Sequence, residues 1–160
     1  MTFSCWLVIS LSVFAASAQP AGYDRAPVLA VIVHKSNPVE NLSRAQLRKL
    51  LLGEVRQWQD GRKVVLVERD EGSVIFVQML ARVLSMKPFE YKRHLLAVEF
   101  QGSQPPIVKT LNSDDGSTKF VWNVPDAIGL IEAVPSSSAR ANVKVLRIDG
   151  KLPGEPGYGL

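Results

Sequence analysis

The stretch from Val64 to Leu84 constrains the fold of this chain more than any other. Val64-Val65-Leu66-Val67 is a continuous apolar run, the pattern of a strand covered on both faces. After the polar Glu68-Arg69-Asp70-Glu71-Gly72-Ser73 comes a longer run in which Ile75, Met79 and Val83 share one helical line and Phe76, Leu80 and Leu84 the next. The spacing predicts a buried strand, a short polar loop and a buried helix. Gly72 allows a tight turn, and Ser73 fits an N-cap whose hydroxyl accepts from an orphan backbone N–H. The N–H groups of Val74 and Ile75, the positive end of the helix dipole and the Arg69 guanidinium can then converge on one small anion. The same residues also fit a structural role, in which Ser73 only caps the helix and Arg69 pairs with Asp70 or Glu71.

The beginning of the chain has the character of an export signal. Cys5 to Ala16 is an apolar core too short to span a bilayer, and Ala16-Ser17-Ala18 before Gln19 is a small-residue cleavage pattern. Residues 1–18 are therefore expected to be a signal peptide, which places the protein in the periplasm; an uncleaved anchor is the alternative, since Met1 to Ser4 carry no positive charge. Of the 160 residues, cleavage leaves 142, one domain of ordinary size. Cys5 is the only cysteine, so the mature protein has no disulfide, thiolate nucleophile or zinc–thiolate site. The net charge of +4 lies wholly outside the signal and fits either an anionic ligand or ordinary solubility.

A short flexible lead over 19–27 precedes the apolar strand Val28 to Val33, with His34 at its end in a position that suits packing or solvation better than ligation. Ser43 and Gln46 form a capping box at the start of a helix, Leu42 can staple onto Leu47, and Gly53 is a left-handed stop. Trp58 reads as a lid over the junction between that helix and the organising strand. Pro88 opens a further helix that carries Tyr91, Leu95 and Val98 on one face and ends at Gly102. Its basic residues Lys87, Lys92, Arg93 and His94 lack the interleaved aromatics of a nucleic-acid binder and read as a solvated face.

Pro105 to Thr110 is a short extended segment, and Ser113-Asp114-Asp115 signals a helix start ahead of a brief helix over Thr118–Asn123. No histidine or carboxylate cluster near Asp114 and Asp115 supports a metal site, and nothing calls for a cofactor. Ile128 to Ile131 is an apolar strand, and Val143 to Ile148 alternates like a half-exposed edge strand. Residues 151–160 form a Gly/Pro-rich tail with Tyr158 as an anchor, and Ser136 to Ser138 is the only biased run. The order β-α-β-α-α-β-α-β-β over 28–150 predicts an α/β fold with a mostly parallel sheet flanked by helices, where ligands sit beyond the carboxyl ends of strands. There is no G-x-S-x-G elbow, no cysteine nucleophile and no histidine cluster, which argues against an enzyme.

Three segments resemble a known family. Leu42-Ser43 through Gln46-Leu47, then Leu52-Gly53 and Trp58-Gln59-Asp60-Gly61, is similar to the L-S-x-x-Q-L … F-L-G-x … W-x-D-G segment of phosphate-binding proteins with the periplasmic-binding-protein-like fold. Arg69 to Ser73 resembles their R-x-x-G-S-G-T phosphate loop, and Asn123 to Leu130 their N-P-G-A-I-G-Y strand entry. The resemblance spans Val28 to Gly150 and implies one lobe of a type II periplasmic binding protein, the solute-binding component of a phosphate ABC transporter. It implies that Arg69 pairs with phosphate or a similar oxyanion, with Gly72, Ser73, Val74 and Ile75 completing the site. The family's Gly and Thr are Val74 and Ile75 here, so a hydroxyl is gone while backbone donors remain. The implied partners are inorganic phosphate and an inner-membrane transporter or sensor, with no nucleic acid. The alternative is a ligand-free interaction or sensory module that keeps the lobe fold.

Overall fold

A computed structural model describes residues 27–100, 106–132 and 142–160 of the chain. The signal peptide and most of the lead, the Gly102 helix stop and the serine run fall outside the described residues. In chain order the elements are β1 (Leu29–His34), β2 (Asn41–Leu42), α1 (Arg44–Leu51), β3 (Val65–Arg69), α2 (Val74–Met79) and α3 (Pro88–Phe100). They are followed by β4 (Ile107–Leu111), α4 (Asp114–Asn123), β5 (Ala127–Glu132), β6 (Val143–Val145) and β7 (Arg147–Ile148).

Five strands form one sheet in the order β4-β3-β5-β1-β6, while β2 and β7 make a separate parallel pair. β3 pairs parallel with β4 and β5, and β1 pairs antiparallel with β5 and β6. Four of the five strands thus run one way and β1 alone runs against them, so the mostly parallel α/β sheet expected from the sequence is the one that forms. The all-apolar runs of β1 and β5 are buried on both faces, as a central position requires.

Alternation along the strands builds a core on each side. Leu29, Val31 and Val33 with Leu66, Ile128 and Leu130 pack under α1, α2 and Tyr91 of α3. Ala30, Ile32, Val67, Ala127 and Ile131 pack under Val121 of α4. Gly129 lies in the second layer, where a β-carbon would stand 3.3 Å from Val67 Cβ and 3.5 Å from Val121 Cγ2. The missing side chain is what lets α4 lie close to the sheet.

The local signals in the sequence are realised. Ser43 and Gln46 make both bonds of the capping box, and Gly53 ends the turn after α1 at φ 69°. Trp58 is buried and its indole N–H donates to Asp126 O at 2.9 Å, linking the loop after α1 to the entry of β5. Ile75, Phe76, Met79, Leu80, Val83 and Leu84 are all buried, and α2 continues as one π turn over Leu80–Leu84 that stops at Ser85, φ 52°. Tyr158 donates its hydroxyl to Leu29 O at 2.7 Å and Leu160 is buried, so the tail packs against the core.

Two expectations need correction. The helix expected over Thr118–Asn123 starts at Asp114, because Ser113 caps it by accepting from Gly116 N–H at 3.0 Å. The single edge strand expected over Val143–Ile148 divides in two. Val143 and Val145 pack toward α4, and Leu146 and Ile148, at the alternate positions, face the opposite core. The Leu146 N–H still bonds Val31 O at 2.9 Å, but the Arg147 N–H turns to Glu40 O at 3.0 Å, so the chain changes sheets between them.

Candidate functional site

The loop between β3 and α2 lies beyond the carboxyl end of β3. The Asp70 N–H bonds Leu111 O at 3.1 Å, prolonging the ladder to β4 by one step, and the Ser73 N–H closes the turn on Asp70 O at 2.9 Å. Ser73 is the N-cap of α2, its backbone extended at φ −77° and its hydroxyl oxygen accepting from Phe76 N–H at 3.1 Å. The Val77 N–H bonds Ser73 O at 3.1 Å. Of the first four helical donors, those of Val74 and Ile75 therefore have no acceptor among the described residues, the expected state of an open helix start. Ile75 is buried beneath this start, while the Val74 side chain is exposed.

Gly72 is not required by the backbone, contrary to the sequence expectation. Its φ is not positive, and an added β-carbon would meet only Asp70 Oδ2 at an ordinary 3.7 Å. The turn closes through the Ser73 to Asp70 bond instead. Glu71 forms an exposed ion pair with Lys92 at 2.8 Å.

Arg69 has a different set of partners from either sequence reading. It ends β3 in alternation with Val65 and Val67, so it faces α4, whereas Leu66 and Glu68 face the core containing α2. Its guanidinium is hydrogen-bonded and ion-paired with Asp114, the first residue of α4, and donates to Asn112 O at 2.9 Å. Its Nε is buried without a partner among the described residues. The second oxygen of Asp114 accepts from the Glu132 N–H at 3.1 Å, so one carboxylate ties the ends of β3 and β5 to the start of α4. Ser73, Val74 and Ile75 thus share one helix start, and Arg69 is engaged across the sheet edge.

Sequence reasoning missed Asp114 as the partner. Once β4 lies beside β3, Arg69 is in register with Leu111, and the acidic pair that begins three residues later falls beside it. It also missed a buried polar pair on the other face. Glu68 and Tyr91 are both buried, and the Tyr91 hydroxyl donates to the Glu68 carboxylate while lying 3.3 Å from Leu51 O. Burial pushes the Glu68 carboxyl above its usual range against the opposing effect of the Tyr91 bond, and burial with the adjacent carboxylate raises the Tyr91 hydroxyl. A glutamate breaking an apolar strand was the sequence cue.

His34 bonds Ser36 Oγ at 2.7 Å, and His94 Nε2 lies 3.0 Å from Leu52 O. Among the described residues, no three His, Cys, Asp or Glu side chains are grouped to hold a metal. A cavity of about 660 Å³ lies at the opposite ends of β3 and β4, lined by Leu50, Val55, Val64, Leu66 and Ile107. No described helix is long and apolar enough to cross a membrane.

No protein-family model matches this sequence, and no curated protein matches it. Solved structures do. The chain is similar to an ABC-type phosphate transport receptor from Vibrio cholerae, with TM-score 0.61 and 20% identity over 79% of this chain and 48% of that one. A putative phosphate ABC transporter substrate-binding protein with bound phosphate, from Clostridium perfringens, matches with TM-score 0.59 and 23% identity over 78% and 46%. PstS from Borrelia burgdorferi matches with TM-score 0.62 and 18% identity over 79% and 49%. The chain spans about half the length of each. At these identities the likeness is one of fold, and the fold is that of a single lobe of a periplasmic binding protein.

Proposed function

We propose that this chain is an exported, non-enzymatic module that binds inorganic phosphate or a similar oxyanion at the loop from Arg69 to Ile75. In this reading residues 1–18 are a signal peptide, the mature domain works in the periplasm, and its partner is an inner-membrane transporter or sensor. The observation that carries the reading is the pair of unbonded N–H groups at Val74 and Ile75, beyond the carboxyl end of β3, in a fold shared with proteins named for phosphate. Ser73 adds its hydroxyl proton, and Gly72 leaves the loop backbone uncovered. Arg69 contributes its charge while held by Asp114.

The contacts set the strength. Two hydrogen bonds to a charged ligand contribute about 1.5–3 kcal/mol each, and the helix start adds about 0.3–1. The gross sum of about 3–7 kcal/mol, reduced by the cost of ordering the ligand, gives millimolar-range affinity. Phosphate titrated into the protein should move the amide resonances of Val74 and Ile75 saturably, and Arg69→Ala should weaken that response. Amides unmoved at tens of millimolar phosphate, about ten times that affinity, overturn the reading.

A second reading has its own observation. The Arg69 guanidinium is held by Asp114 and Asn112, as befits a lobe that keeps the fold and works through a protein surface. Silent amides together with a specific partner recovered from a periplasmic extract would favour it.

A further inference from the structure

The helix α3 is fastened to the domain by one narrow face. Tyr91 is its only fully buried residue, with His94, Leu95 and Val98 half-buried beside it. On a 3.6-residue helix, Phe89, Leu96 and Phe100 fall within about 40° of one another, directly opposite that face. They are 70%, 53% and 86% exposed. The outermost ridge of the helix, which ought to be its most polar line, is therefore built of two phenylalanines and a leucine. Arg93 lies on the same ridge, stacked 5.6 Å from the Phe89 ring centre, with no carboxylate partner among the described residues.

We propose that this ridge is an interface between two copies of this chain, with the two α3 helices antiparallel about a two-fold axis at the middle of the helix. The ridge is self-complementary about that point. Phe89 and Phe100 are equidistant from the middle, so Phe89 of each copy meets Phe100 of the other, and Arg93 lies against Leu96 in the same way.

Charge complementarity selects this partner. Lys92 and Glu99, seven residues apart, lie on one flank of the ridge, and an antiparallel two-fold pairing brings like flanks together. Lys92 of one copy then stands within about two residues, or 3 Å, of the level of Glu99 of the other, giving two equivalent ion pairs. Within a single chain Lys92 reaches only the exposed Glu71. An anionic membrane would instead find Glu90 and Glu99 flanking the apolar line. One helix pair of this length buries less than the roughly 1,200 Å² typical of stable complexes, so the association is concentration-dependent.

Sedimentation velocity of the full chain across the micromolar to near-millimolar range tests the proposal. The expected result is a rise from monomer to twice the monomer mass. Phe89→Ser with Phe100→Ser should abolish the rise while leaving the helical signal and thermal midpoint unchanged. Glu99→Lys alone, which sets Lys92 against a lysine, should weaken association about tenfold, and adding Lys92→Glu should restore it. A monomer at every concentration overturns the proposal. So does a dimer indifferent to the serine pair, as one held by the apolar segment Cys5 to Ala16 would be, or a charge reversal that its partner reversal fails to rescue.

Discussion

The Tyr91 hydroxyl should support the fold to an extent that depends on pH. Tyr91→Phe keeps the ring, its burial and its edge-to-face contact with Phe76 at 6.1 Å, and removes only the donor to Glu68. Where Glu68 is protonated the lost bond is between neutral groups, about 0.5–1.5 kcal/mol; where it is ionised the bond is charge-assisted, about 1.5–3. The sign follows from Glu68, whose folded-state pKa is raised by burial. Between its unfolded and folded pKa values the native state holds more protons than the unfolded one, so stability falls as pH rises through that window. Removing Tyr91's hydroxyl raises the folded pKa further, so the variant should lose more stability at pH 8 than near pH 4, by about 1 kcal/mol or 2–4 °C in thermal midpoint. Glu68→Gln keeps an acceptor for Tyr91 and cannot ionise, so it should be more stable than the wild type at pH 8 and have a flatter pH profile. Urea unfolding of the three proteins at both pH values checks this. A Tyr91→Phe cost equal at both, or a Glu68→Gln protein that follows the wild-type profile, refutes the reasoning.

Asp114→Asn should cost about 1 kcal/mol by denaturant unfolding, because Arg69 is mostly buried while Asp114 is about one-third exposed and Asn still accepts a hydrogen bond. The same change should strengthen phosphate binding several-fold by calorimetry, since it removes a competing negative charge from the guanidinium. Gly129→Ala should cost about 1–3 kcal/mol in thermal unfolding, since its new methyl would press on Val67 and Val121 between sheet and helix, neither of them a flexible chain end.

The parts of the fold that were legible in the sequence are those whose forces are local. The capping box at Ser43, the cap at Ser73, the stop at Gly53 and the double-sided burial of β1 each follow from residues within a few positions of one another. What escaped depends on which strands become neighbours. The opposite direction of β1 leaves no trace in its own residues, because a strand buried on both faces looks the same running either way. The division of the last strand was hidden because it depends on the Arg147 N–H pairing with the distant Glu40 O instead of β1. The polar loop expected over Glu68–Ser73 is shorter, because Glu68 and Arg69 extend β3, and the partner of Arg69 lies 45 residues away and depends on β4 lying beside β3.

That long-range pair also leaves the two helix starts at one end of the sheet differently compensated. Two helices, α2 and α4, begin beyond the carboxyl ends of adjacent strands β3 and β4, and each start concentrates positive potential there. At α4 the chain supplies the compensating negative charge itself, with Asp114 and Asp115 in the first turn and Asp114 also neutralising Arg69. At α2 the first turn has no acidic residue, although Asp70 lies in the loop before it; Ser73 satisfies only the Phe76 donor, and Glu71 pairs with Lys92. In the proposed reading an oxyanion at α2 would do for that helix what Asp114 does for α4, while Arg69 stays paired with Asp114.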